Sequence, residues 1–184
     1  MSAEPSTEPA RLVHEAHARL ARTVNIGPDL GAPQERGWTL AVERWHLEDC
    51  AQHHFTAIRL LIDLAAHRAA GGLDPRMLER VEQLADQAAS LGLAVVIANH
   101  RDRELIADPG PHLAATLAAV TELAGVFAGR GTGLIVEPLA EPEQALDPIW
   151  NRVIPELIGA VRGQDRHRTI LLGPRTRNNA RFLG

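Results

Sequence analysis

Two carboxylates stand four residues apart in Gly133-Leu-Ile-Val-Glu137-Pro-Leu-Ala140-Glu141-Pro142, at the end of an apolar run. A carboxyl group so placed can donate or accept a proton. To act as a general acid it needs a raised pKa, from burial or from a nearby carboxylate. Glu141 is the candidate for that role; the plain alternative is a loop glutamate facing water. Strand residues alternate faces, so a regular strand would point Glu137, Leu139 and Glu141 the same way. By the same rule Arg59 and Asp63 share a face of the run that starts at Ala57. A buried arginine must be paired, and Glu137 or Glu141 is the economical partner for Arg59. Asp63 is either a second working carboxylate or an ordinary loop aspartate. His100 ends a third apolar run, as a cleft imidazole or as a satisfied core histidine.

Arginines gather in the same neighbourhood. Arg101, Arg103, Arg175 and Arg177 all follow the ends of apolar runs. Guanidinium groups suit a carboxylate or phosphate on a substrate; the alternative is a solvated basic rim. His67 follows the second run closely and is placed on the same side. The remaining histidines have no cysteine or acidic ligand at signature spacing, so no metal site is expected. There is no G-x-S-x-G, Walker A or G-x-G-x-x-G pattern, which leaves serine-hydrolase and nucleotide-binding readings without a motif. No cofactor is expected.

The elements that must position these groups recur. Apolar runs begin near Thr23, Ala57, Leu93, Gly133 and Thr169. The first four are each followed by a segment that reads as helix, a strand–helix unit of roughly 35 residues. Such units build (β/α) barrels, whose chemistry sits at the strand C-termini. Leu93–His100 is continuously apolar, as a strand buried on both faces should be. The sharpest helix has Asp74 as N-cap, Pro75 at its first position and Gly92 as its stop. Other helices are expected near Glu8–Arg22, Leu47–His54, Pro111–Phe127 and Asp147–Arg162, with residues 1–7 mobile. Gly71-Gly72 reads as a turn. The expected fold class is α/β: a truncated (β/α) TIM-type barrel of five parallel strands with flanking helices. Residues 1–184 are read as one domain. An eight-stranded barrel takes about 250 residues, and this chain has 184.

Composition narrows the classes. Hydrophobic residues are 45%, charged residues 23% and net charge −4, so no nucleic acid or membrane partner is indicated. No apolar run approaches the roughly 20 residues of a membrane span. A lone Cys50 and a polar, acidic N-terminus without an apolar core suggest no secretory signal and a cytoplasmic location. There is no Tyr, and only three Trp and three Phe, so few aromatic faces are on offer for sugar stacking.

The motifs resemble glycoside hydrolase family five, the cellulase family, in order over about residues 18–184. Asn25-Ile-Gly27-Pro-Asp-Leu-Gly-Ala32-Pro33 is similar to the family's G-x-N-x-G-N-x-x-x-A-P stretch. Ile58-Arg59-Leu60 stands in the V-R-I-P position, Val96-Ile-Ala-Asn-His100-Arg101 in V-I-x-x-H-H, and Val136-Glu137-Pro-Leu-Ala140-Glu141-Pro142 in F-E-x-x-N-E-P. Trp150-Asn151, Pro155-Glu156 and Ile170-Leu-Leu-Gly173-Pro174 continue the match. The resemblance implies Arg59 as the active-site arginine, His100 as the cleft histidine and Glu141 as the general acid/base. Asn25, Asp63, His67, Glu137, Arg101, Arg175 and Arg177 are the accompanying candidates for substrate binding.

The departures are specific. Ala140 replaces the asparagine that would bond a sugar 2-hydroxyl, Arg101 replaces the second histidine, and Leu61 stands where the family has proline. The family's nucleophile belongs to its seventh strand, and a retaining mechanism needs two carboxyl groups about 5–5.5 Å apart. The expectation is a divergent glycoside-hydrolase-like enzyme. It would use acid/base chemistry on a small molecule, an anion among the options, and a biosynthetic pathway is one setting. The alternatives are a catalytically inactive remnant serving as a binding or interaction protein, and a cellulase-type hydrolase completed by oligomerisation. Open sheet edges favour a homodimer or higher homo-oligomer.

Overall fold

A computed structural model describes residues 8–27, 42–100, 102–179 and 181. Residues 1–7, 28–41, 101, 180 and 182–184 therefore lie outside the described residues, including most of the Gly27–Pro33 stretch. Five strands form one parallel sheet: β1 (Thr23–Ile26), β2 (Ala57–Ile62), β5 (Ala94–His100), β6 (Leu134–Ala140) and β7 (Thr169–Ile170), in the order β1-β2-β5-β6-β7. The helices are α1 (Glu8–Arg19), α2 (Arg44–Gln52), α3 (Pro75–Ser90), α4 (Arg103–Ala107), α5 (Pro109–Val126) and α6 (Trp150–Arg162). A hairpin of β3 (Arg68–Ala69) and β4 (Gly72–Leu73) stands apart from the sheet. This is the five-stranded α/β architecture that the repeat implied.

The boundaries follow local chemistry. Asp74 caps α3 by accepting from the Arg76 amide, and Gly92 ends that helical segment at φ 77°. The 93–100 run is a strand buried along nearly its whole length. Three details differ from the reading of the sequence. Gly71-Gly72 is part of the β3–β4 hairpin, where Gly72 sits at φ 126° and a Cβ would fall 2.7 Å from a Glu122 carboxylate oxygen. The same carboxylate accepts from the Leu73 amide. α4 precedes α5 because Asp102 caps it, accepting from the Leu105 amide. The segment 144–149 is a 3₁₀ turn, with Pro148 within it, before α6 begins at Trp150.

The sheet has two unlike faces. On the outer face Ile58, Leu60, Ile62, Val95, Ile97, Leu134 and Val136 join one core with the apolar stripes of α3, α5 and α6. Those stripes include Val81, Leu84, Val120, Leu123, Val153 and Leu157, all fully or almost fully buried. On the inner face a separate cluster forms: Val96 and Ile135 are covered by Ala16 of α1, with Leu20 and Leu171 beside them. α1 thus lies over the inner face, shielding apolar positions that a parallel sheet cannot leave open.

At the N-terminal end of the strands one buried cation ties the turns. Arg168 donates to the carbonyls of Gly131, Leu134, Phe127 and Arg130 and to the Asp165 carboxylate, at 2.8–3.1 Å. Burial lowers its pKa, against the pull of Asp165. Truncating one partner of a buried charged network costs about 3–5 kcal/mol. Arg168→Met should therefore lower the urea-unfolding free energy by that order; a loss within the scatter of surface variants would show the network to be dispensable.

Candidate functional site

The inner face carries a charged network built across three strands. Arg59 on β2 makes a two-point ion pair with Glu137 on β6, Nε to Oε2 at 2.5 Å and Nη2 to Oε1 at 2.9 Å. Its Nη1 donates to Asn25 Oδ1 on β1 at 3.2 Å. β5 lies between the partners, and register places Ala98 opposite Glu137. The guanidinium must span two strand spacings, roughly 10 Å, and a small side chain at Ala98 leaves the way open. Glu137 is 2% exposed, so its charge depends on this pairing. Arg59 therefore pairs with Glu137, leaving Glu141 to other neighbours.

β6 is not regular. Ala98 pairs with Glu137 and His100 with Ala140, so two steps on β5 match three on β6. One extra residue is a bulge, and bulges re-aim side chains beside active sites. The parity argument fails here: Leu139 joins the outer core while Glu137 faces inward. Beyond the bulge, Glu141 adopts a left-handed backbone, φ 53°. Its carboxylate Oε2 lies 3.9 Å from His100 Nε2; the Glu141 side chain is 51% exposed and that of His100 13%.

Glu141 and His100 line a cleft of about 490 Å³ with Arg103, Ile106, Ala107, Ala140, Glu143 and Arg177. Glu143 is the residue that sequence reasoning missed. Arg177 holds it in a two-point pair, Nε to Oε2 and Nη2 to Oε1, both 2.8 Å. That bonding, together with the charges of Glu143 and Glu141, raises the Arg177 pKa. The strap carrying Arg177 is strained: Thr176, Arg177 and Asn178 all have φ between 54° and 61°. A left-handed backbone costs a side-chain-bearing residue about 1–2 kcal/mol. Two anchors offset this. The Arg177 amide donates to the Pro142 carbonyl, and Thr176 gives its amide and hydroxyl to the Asp147 carboxylate at 3.0 and 2.7 Å. The strap after β7 is thereby fastened to the loop that bears Glu141.

The other candidates lie elsewhere. His67 is 5% exposed and does not line the cleft. Arg175 is exposed and also off the lining. Arg101 lies outside the described residues. Among the described residues no group of three or more His, Cys, Asp or Glu could hold a metal ion, and no helix is long and apolar enough to cross a membrane. Asp63 caps the 3₁₀ turn Ala65–His67, accepting from the Ala66 amide at 3.2 Å.

Burial pushes the Asp63 carboxyl up; the Ala66 bond opposes this and the Asp102 charge adds to it. The sign follows from linkage. A raised folded-state pKa means that the native state holds the proton more tightly. The favourable contribution is present at acid pH and is lost as pH rises through the folded value. Asp63→Asn keeps the capping oxygen without the charge. It should stabilise the protein near neutral pH, with the gain shrinking in acid; denaturant midpoints measured at both pH values decide it.

The similarity to known proteins agrees with this fold. Residues 43–181 match the family model "Cellulase (glycosyl hydrolase family 5)". Endoglucanase H of Acetivibrio thermocellus is 22% identical over 94% of this chain, which spans 20% of that protein. Cel5A of Thermotoga maritima, in complex with mannotriose, superimposes with a TM-score of 0.86 at 28% identity, over 92% of this chain and 56% of the other. Another structure of the same endoglucanase gives 0.87 over 96% and 57%. This chain thus spans a little over half of those structures and a fifth of endoglucanase H. With three-quarters of its residues inside the family match, the chain belongs to glycosyl hydrolase family 5.

Proposed function

We propose that this chain performs acid/base chemistry centred on Glu141, on a small carbohydrate-type molecule, as a divergent member of its family and not as an ordinary cellulase. The observation that carries the reading is the division of labour among carboxylates. Glu137 and Glu143 are each locked by an arginine in a two-point pair. Glu141 is half exposed at the cleft wall, beside the imidazole of His100. It is the carboxyl positioned to exchange a proton with a ligand, and His100 is the group positioned to orient or polarise it. Arg59, Glu137 and Asn25 hold the strands that carry both. Ala140, at the cleft wall, offers no side-chain hydrogen bond to a sugar hydroxyl. A cytoplasmic setting belongs to this reading, supported by the single Cys50.

A second reading is hydrolysis of β-glycosidic bonds with the other carboxyl supplied by a further segment or a second copy. It is supported by the sheet edges: β1 and β7 each pair on one side only among the described strands, and β1 alternates between exposed and half-buried positions.

Glu141→Gln keeps shape and removes proton transfer. It should reduce turnover of an aryl β-glycoside panel by about 10²–10⁴-fold, with thermal stability unchanged. Full activity in the folded variant moves the site elsewhere. Association is tested separately: sedimentation at micromolar concentration should give a dimer or higher oligomer, and a monodisperse monomer removes the second copy from the argument.

A further inference from the structure

The cleft lacks what a neutral sugar needs and holds what a charged one needs. None of its described lining residues is Phe, Tyr or Trp, so the large ring faces that stack on a neutral sugar are missing from them. Its apolar wall is limited to Ile106, Ala107 and Ala140. Its polar wall holds His100, Arg103, Glu141, Glu143 and Arg177. Arg103 is exposed and makes no ion pair among the described residues; its charge acts on half-buried Asp63. Arg177 is 67% exposed at the side chain even while paired, and its backbone is fixed from both sides by the strap. Such strain persists where the surroundings over-determine it, as at ligand clamps.

We propose that Arg103 and Arg177 form an anion subsite at the Glu141 cleft, taking the carboxylate or phosphate of an acidic sugar. Arg177 keeps Glu143 on Nε and Nη2 and offers its remaining Nη1 to the ligand's anionic group, and Arg103 supplies the planar two-point contact. This inference rests on the acid/base reading of the cleft, because it names the substrate class for that site. Binding does not require Glu141, however, so the two can fail separately.

The test is a titration of ¹⁵N-labelled full chain, following arginine Nε–Hε signals, with glucuronate, glucose 6-phosphate, glucose and inorganic phosphate. Saturable shifts of Arg103 and Arg177 with one or both acidic sugars, at least about tenfold tighter than with glucose, support the subsite; which sugar binds identifies the anion. Affinity should fall as salt rises. Arg103→Gln, which removes no ion pair, should weaken binding, and Arg103→Gln/Arg177→Gln should abolish it. Arg177→Lys should weaken it too, since a point charge does not replace the fork. Glu141→Gln, which removes a negative charge beside the subsite, should bind at least as tightly as wild type while losing turnover. Equal affinity for glucose, equal affinity for inorganic phosphate, binding retained in the double variant, or no saturable shift with any ligand overturns the proposal.

Discussion

A salt bridge that steps over a strand fixes the inner face of this sheet. Arg59 and Glu137 sit on β2 and β6, with β5 between them, and Asn25 extends the network to β1. Three of the five strands are thereby tied by side chains as well as by backbone. The pair is buried at its carboxylate end, so neither partner can leave without stranding the other. Everything at the strand ends is built on that fixed base. With Glu137 committed to structure, Glu141 is the carboxylate left half exposed at the cleft, and the bulge in β6 aims it away from Arg59.

The two ends of the strands divide their tasks. At the N-terminal ends Arg168 satisfies four carbonyls and one carboxylate, holding the turn before β6 and the entry to β7 together. At the C-terminal ends Arg103, Arg175 and Arg177 are exposed, and left-handed backbone occurs at Glu141 and at 176–178. The buried hydrogen-bond network sits at one end and the charged cleft at the other, the division that barrels show.

Much of the fold was legible. Five apolar runs gave five strands, most clearly β5 and β6, where burial on both faces demands apolar sequence. Asp74, Pro75 and Gly92 marked α3 by capping chemistry. The site was legible where it depends on alternation: Arg59 meets Glu137 because both lie inside regular strand. It ceased to be legible at the bulge, where one extra residue in β6 overrides parity and sends Leu139 outward. Glu143 and the strap were invisible for a related reason. Their pairing joins residues 34 positions apart through a left-handed turn of non-glycine residues, and no local preference favours such a backbone. α4 and the β3–β4 hairpin were hidden by shortness, being held by Asp102 and Glu122 across the fold.

α1 has a consequence in time. Ala16 packs on Val96 and Ile135, so the earliest helix of the described chain closes over a face whose last wall is more than a hundred residues downstream. At synthesis rates of about 5–20 residues per second, α1 emerges on the order of 10 s before Ile135 exists to receive it. Ala16 and its neighbour Leu20 are thus made long before the surface that covers them, and α1 docks late in synthesis although it comes early in the chain.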